Sequence, residues 1–270
     1  MEKLNVLSLF DGISCGRVAL ERAGIEVNKY YASEIDQNPI KVTQYHYPDT
    51  IQLGDICNHK SWDIGNTDLL IGGSPCQNFS TLGNRKGLQG DKSGLFYKYV
   101  EVLEQYNPRY FLLENNDNMP LEAREEITSI LGVEPIMIDS ALVSAQNRKR
   151  LYWTNIIGVK QPNDRNIKLT DILTNNREEI TLVPYVQKKL DKIIEKYGYI
   201  PDMFNPYNCA EINDKSPCLT AQGNSQTKSS SVIIHKNGKY SMLNAIEWER
   251  LQTLPDNYTS VLNESNRKKL

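Results

Sequence analysis

The stretch NVLSLFDGISCGRVALERA, residues 5–23, sets out the architecture in one short passage. Asn5 to Phe10 is an apolar run closed by Asp11 and Gly12, the pattern of a strand that stops at a turn. Gly16 to Ala23 then reads as a helix. The same order returns along the first half. Tyr30 to Ser33, Leu69 to Ile71, Tyr110 to Leu113 and Pro135 to Ile138 read as strands. Between them Pro39 to Tyr45, Leu95 to Tyr106 and Leu121 to Leu131 read as helices. This alternation predicts an α/β fold, a parallel sheet with helices on both faces. Ligands of such sheets gather beyond the carboxyl ends of the strands.

After about residue 158 the grammar changes. Lys160 to Arg165 reads as a linker, and a polar, turn-rich region runs to about residue 240, expected to be a smaller second lobe. Within it Val183 to Tyr197 is an amphipathic helix candidate. Val232 to His235 and Tyr240 to Leu243 flank a Lys-Asn-Gly-Lys turn, a strong hairpin signal. Asn244 with Glu247 reads as a helix cap, opening a helix to about Leu254 that Pro255 stops.

A chain of 270 residues, 39% hydrophobic and 24% charged, is long and apolar enough for a real core and far from disordered compositions. The run Leu4 to Phe10 is too short to span a membrane and lacks a signal-peptide cleavage pattern, so a cytoplasmic location is expected. Five cysteines with no Cys-x-x-Cys pair suggest neither a disulfide framework nor a zinc site. No metal is expected. A net charge of −2 offers no global case for a polyanionic partner, and basic pairs such as Lys188-Lys189 read first as solvated faces.

The chemistry-bearing residues fall at strand ends. Gly12 and Gly16 allow a tight turn and close backbone approach, without the Gly-Lys-Ser/Thr of a phosphate loop or the Gly-x-Gly-x-x-Gly of a dinucleotide site. Glu34, 23 residues beyond Asp11, is placed to accept hydrogen bonds from ribose hydroxyls, and Asp55 from an exocyclic amine. Each acid alone reads as a surface carboxylate. Three at successive strand ends favour an adenosine-containing cofactor. Pro75 and two glycines shape a loop that presents Cys76, although a lone cysteine is more often a small buried residue than a nucleophile. Glu114-Asn115 closes the next strand, and Gln146-Asn147-Arg148-Lys149-Arg150 follows a further strand-like run, so a thiol, a carboxyl and guanidinium groups can converge.

With these residues in order, the chain resembles the cytosine-C5 DNA methyltransferases: Phe10-Asp11-Gly12 with Gly16, Glu34, Asp55, Gly73-Ser74-Pro75-Cys76-Gln77, Glu114-Asn115 and Gln146-x-Arg148-x-Arg150. The resemblance covers residues 4 to about 158 and resumes at Ala245 to Tyr258; its details look closest to the de novo branch. It implies a Rossmann-like S-adenosylmethionine-dependent methyltransferase fold with a smaller target-recognition lobe. The implied divisions are a cofactor-binding and catalytic domain at 1–158, a target-recognition region at 159–242 and a return segment at 243–270.

The resemblance further implies S-adenosyl-L-methionine as cofactor, lined by Phe10, Asp11, Gly12, Gly16, Glu34, Asp55, Ile56 and Pro75. Cys76 becomes the nucleophile, with Glu114, Arg148 and Arg150 as catalytic partners and Gln77, Asn115 and Gln146 on the substrate side. Double-stranded DNA is the implied partner, in a bacterial or phage modification system. Two departures stand out. Asn116 replaces the family's usual valine, and the final Gly-Asn motif, which closes the cofactor pocket, is not reached by Leu270, so weakened cofactor binding is expected. Two other readings remain: a tRNA-methylating relative, whose Cys-Phe-Thr signature is missing, and an inactive DNA-binding relative.

Overall fold

The computed structural model describes residues 3–74, 94–220 and 225–269. The chain divides into two compact units: residues 1–138 with 149–161, and residues 139–148 with 162–270.

The first unit is built on a seven-stranded sheet. Its strands are β1 (Leu4–Leu9), β2 (Val27–Ser33), β3 (Ile51–Gln52), β4 (Leu69–Gly72), β5 (Tyr110–Asn116), β6 (Ile136–Asp139) and β7 (Lys149–Thr154). They lie in the order β3-β2-β1-β4-β5-β7-β6. Pairings from β3 through β5 are parallel, whereas β7 runs antiparallel to β5. The all-parallel expectation therefore fails at one edge. There the chain runs from β5 through a helix, residues 121–131, to the edge strand β6, and β7 then turns back to lie between β5 and β6. The order reverses between β1 and β4, and the loops after these two strands flank that switch point.

Both faces of this sheet are covered, as the alternation of side chains requires. Leu7, Leu9, Tyr31, Leu70, Phe111 and Leu113 face one way, packing with Phe96, Tyr99 and Val102 of α3 (Gly94–Tyr106) and Ala123 and Ile127 of α4 (Leu121–Leu131). Val6, Tyr30, Ala32 and Leu69 face the other way with Leu20 of α1 (Cys15–Arg22). Helix α2 (Gln37–His46) starts two residues before the expected Pro39, because Asp36 caps it by accepting the Asn38 N–H at 2.9 Å.

The second unit carries a five-stranded sheet ordered β10-β9-β11-β12-β8, from β8 (Glu179–Ile180), β9 (Met203–Asn205), β10 (Ala210–Glu211), β11 (Ile233–Lys236) and β12 (Lys239–Met242). Its recorded pairings are all antiparallel. The β11–β12 hairpin turns at Asn237 and Gly238, with φ of 53° and 75°, the two left-handed positions a tight hairpin needs. Helix α6 (Pro184–Tyr197), which follows α5 (Leu169–Ile172), packs Leu190 and Ile193 on Phe204 and Ile233. Helix α7 (Ala245–Leu251) opens with the expected reciprocal cap. The Glu247 N–H donates to Asn244 Oδ1 and the Asn244 N–H to Glu247 Oε2, both at 2.9 Å. It ends three residues earlier than Leu254, because Thr253 is left-handed at φ 57° and the Leu254 N–H turns back to the Glu249 carbonyl. The short α8 (Glu264–Arg267) follows.

Candidate active site

The loop after β1 is tightly bent. Phe10, Gly12 and Ser14 all have positive φ, 55°, 57° and 58°. Glycine adopts that conformation freely, whereas each non-glycine residue there costs about 1–2 kcal/mol. The loop is held from three sides. The Asp11 N–H donates to the Ser33 carbonyl at 3.2 Å, and the Gly12 N–H donates to Glu34 Oε2 at 2.9 Å. The Asp11 carboxylate turns inward, accepting from the Tyr30 hydroxyl at 2.8 Å and from the Ser14 hydroxyl. Burial pushes the Asp11 carboxyl above its ordinary value, against these hydrogen bonds, and burial beside Asp11 drives the Tyr30 phenol up as well.

Glu34, just past the end of β2, is a junction. Its Oε1 accepts the Ile35 and Asp36 N–H groups at 2.8 and 2.9 Å, while Oε2 takes Gly12. A carboxylate offers about four lone-pair sites, so one remains for a hydroxyl donor. Beside it Ile35 is 69% exposed, an apolar surface that sequence reading passed over. Asp55 lies past the two-residue β3 and caps the 3-10 turn Ile56–Ser61 by accepting the Cys57 N–H at 2.9 Å. Ile56 is buried in the core cluster. Gly16 serves packing: a Cβ there would stand 2.3 Å from Ile71 Cδ1 and 3.3 Å from the Tyr30 hydroxyl. Of these residues Glu34 could accept a ribose hydroxyl, whereas the Asp11 carboxylate is turned inward onto Tyr30 and Ser14.

The second group gathers at the ends of β4 and β5. Pairing with β7 keeps Glu114, Asn115 and Asn116 in the strand, and sets Tyr152 opposite Glu114 and Arg150 opposite Asn116. Arg150 is thus the diagonal neighbour of Glu114 on one face, and its Nε lies 2.8 Å from Glu114 Oε1. Gly73 comes close beneath. A Cβ at residue 73 would meet Glu114 Oε2 at 3.1 Å. Asn115 points to the opposite face, is 1% exposed, and donates its Nδ2 to the Ser74 carbonyl and Oγ at 3.3 and 3.2 Å. It braces the residue before Pro75. Pro75, Cys76 and Gln77 themselves lie outside the described residues.

Gln146 and Arg148 belong to the second unit. Gln146 is fully buried, with Oε1 accepting the Leu219 N–H at 3.2 Å and Nε2 donating to the Leu251 carbonyl at 3.3 Å. Lys215 holds the same strap by donating to the carbonyls of Ala141, Ser144 and Ile167 at 2.7, 2.9 and 2.6 Å. Arg148 is anchored through its backbone N–H on Asp139 Oδ1 at 2.9 Å, and its guanidinium reaches the Cys218 sulfur at 3.6 Å. Tyr30, Ser14 and Thr43 were missed in the sequence because a hydroxyl inside an apolar run or helix carries no local signature of what it bonds.

Strand order, switch-point loops and the acid at the end of β2 define the class, an S-adenosylmethionine-dependent methyltransferase fold. The chain belongs to the C-5 cytosine-specific DNA methylases, whose family model matches residues 4–270. Among curated relatives, the orphan methyltransferase M.Rho11sI of Bacillus phage rho11s is 35% identical over 175 residues, 60% of this chain and 34% of that protein. The orphan methyltransferase M.SPRI of Bacillus phage SPR is 31% identical over 229 residues, 73% of this chain and 51% of that protein. The chain thus spans about a third to a half of these relatives' length. Among solved structures, the S. pombe Dnmt2 methyltransferase shares the fold with a TM-score of 0.71 at 21% identity, covering 99% of this chain and 93% of that one. Among the described residues, no helix is long and apolar enough to cross a membrane.

Proposed function

We propose that the protein transfers a methyl group from S-adenosyl-L-methionine to C5 of cytosine in double-stranded DNA, with Cys76 as the nucleophile. The observation that carries this reading is the convergence at the ends of β4 and β5. Glu114 is paired to Arg150 at 2.8 Å above the Gly73 backbone, and Asn115 fixes Ser74, two residues before Cys76. Glu34, Asp55 and the Phe10–Gly12 loop would hold the cofactor, which supplies an electrophilic methyl group when bound.

Cytosine C5 is a weak nucleophile until a thiolate adds at C6. The Cys76 thiolate adds there, and the displaced ring electrons make C5 electron-rich. Glu114, in its acid form, gives its proton to N3 and accepts from the exocyclic amine, which balances the charge as sulfur adds and leaves the carboxylate that Arg150 holds. Arg150 orients the Glu114 carboxyl group and faces the base with it. After methylation the C5 proton is lost to a base, its electrons reform the double bond to C6 as the Cys76 thiolate departs, and N3 returns its proton to Glu114. A base inside a duplex is out of reach of the thiol, so it must be extruded, at a cost of a few kcal/mol. Residues 159–242 are the target-recognition region of this reading.

The test is tritium transfer from labelled S-adenosylmethionine to duplex DNA and, in parallel, to tRNA. Wild type should label DNA, Cys76→Ser should abolish labelling, and Glu114→Gln should lower it by at least about 100-fold. Full activity in Cys76→Ser would refute the nucleophile; labelling of tRNA alone would replace the substrate; failure of the wild type to bind the cofactor by calorimetry would favour an inactive relative.

A further inference from the structure

We infer that Asp11 supports the methyl-donor loop from beneath without contacting the donor, and that Tyr30 and Thr43 are positioning residues acting through it. This rests on the proposed cofactor role of the Phe10–Gly12 loop.

Three left-handed residues in five positions, two of them not glycine, require compensation. It comes from a buried chain of hydroxyls whose proton directions are fixed by counting. Ser14 Oγ has one proton, and its carboxylate neighbour, Asp11 Oδ2, can only accept it. The 3.0 Å contact between Ser14 Oγ and Thr43 Oγ1 is therefore donated by Thr43. The same Thr43 hydroxyl lies 3.4 Å from the Gly12 carbonyl, a weaker branch that reaches the loop backbone directly. Tyr30 closes the other side, donating to Asp11 Oδ1 at 2.8 Å. The order is Thr43 to Ser14 to Asp11, met by Tyr30.

Ser14 and Thr43 are 0% exposed and Tyr30 is 1% exposed, so water does not replace a lost partner. Both Asp11 oxygens are committed inward, and Ser14, at the cap position of α1, makes no side-chain cap because its hydroxyl serves this chain. The residues come from the loop, β2 and α2, so three elements of the first unit are tied to one carboxylate. A cofactor resting on the Phe10–Gly12 backbone would find it already shaped, and the ordering cost would be met in folding, before binding.

The experiment measures the dissociation constants of S-adenosylmethionine and S-adenosylhomocysteine by calorimetry for wild type, Tyr30→Phe, Thr43→Val and Thr43→Ser. Thermal unfolding and steady-state rates are recorded on the same preparations. Tyr30→Phe and Thr43→Val should each weaken binding of both ligands roughly 10-fold, the loss expected when one buried hydrogen bond is left half-made. Thr43→Ser keeps the hydroxyl and should bind within about two-fold of wild type. KM for the cofactor should rise with kcat at saturation nearly unchanged, a split that general loss of stability does not produce. Folded Thr43→Val binding as wild type, or Thr43→Ser failing as badly as Thr43→Val, would overturn the inference. Should Tyr30→Phe not fold, the Thr43 pair decides alone. Absence of binding by the wild type would instead remove the cofactor reading on which the inference rests.

Discussion

At the scale of single residues, carboxylates that look alike in sequence have different tasks, set by what surrounds them. Glu34 organises N–H groups at the surface of the loop, whereas Asp11 is shut beneath it among the hydroxyls of Ser14, Ser8 and Tyr30. For Asp11, desolvation outweighs those donors and raises its pKa above the ordinary 3.8. An acid with a raised folded value binds its proton more tightly in the native state than in the unfolded chain. Its contribution to stability is therefore best below pH 3.8 and is lost as pH rises through the folded value. Asp11→Asn removes this titration while keeping the shape. The new amide can still accept from Tyr30 and donate to Ser14, with the hydroxyl chain reversed so that Thr43 donates to Gly12. The variant should gain stability relative to wild type as pH is raised from 4 to 8, measured as the difference between their thermal midpoints at each pH. Parallel curves would show that Asp11 is not held up in the fold.

At the scale of elements, helix α1 meets β4 through a missing side chain. Gly16→Ala would gain about 1 kcal/mol of helix propensity. It would also put a Cβ 2.3 Å from Ile71 Cδ1, beside a Tyr30 hydroxyl already fixed by Asp11. Overpacking of that kind costs about 1–3 kcal/mol, so the net change should be destabilising. Ile71→Val deletes the clashing Cδ1 and alone should cost about 0.5–1.5 kcal/mol. The double variant should then be more stable than the sum of the singles by at least about 1 kcal/mol, read from a denaturant double-mutant cycle; additivity would mean that Ile71 sidesteps without cost. Much of this level was legible in sequence. The apolar runs of β1, β2 and β4 and the cap of α7 stand where local patterning puts them, because burial and capping are local demands. What local pattern could not show was long-range. Strand β5 runs on through polar Glu114 to Asn116 because β7 pairs there, and that antiparallel pairing brings Arg150 to Glu114. The same limit applies to the site. The acids and the Glu114-Asn115 pair could be located from spacing, but the inward turn of Asp11 depends on Tyr30 and Thr43, distant in sequence.

At the scale of the whole molecule, two cores divide the labour. Leu7, Leu70 and Trp153 belong to the core of the first unit, and Leu169, Trp248 and Leu251 to that of the second. The second depends on buried charge as well as apolar packing. Glu249, 4% exposed, accepts the Thr259 N–H and hydroxyl at 2.8 and 2.5 Å, the Asn257 N–H at 2.7 Å and the Arg267 guanidinium at 2.8 Å. One carboxylate on α7 thereby fixes the segment that leads into α8. The desolvation of such a group is offset only while every donor stays in place. Glu249→Ala would leave Arg267 without its counter-charge and two backbone N–H groups without acceptors, a loss of about 3–5 kcal/mol. Hydrogen exchange should show the loss as faster exchange across residues 257–267, whereas calorimetric S-adenosylmethionine affinity should stay within about two-fold of wild type, because the loop proposed to hold the cofactor and its support lie wholly in the first unit. A fall in cofactor affinity matching the loss of protection would show that the two cores do not act separately, and that the loop under Phe10 draws on the second unit for its shape.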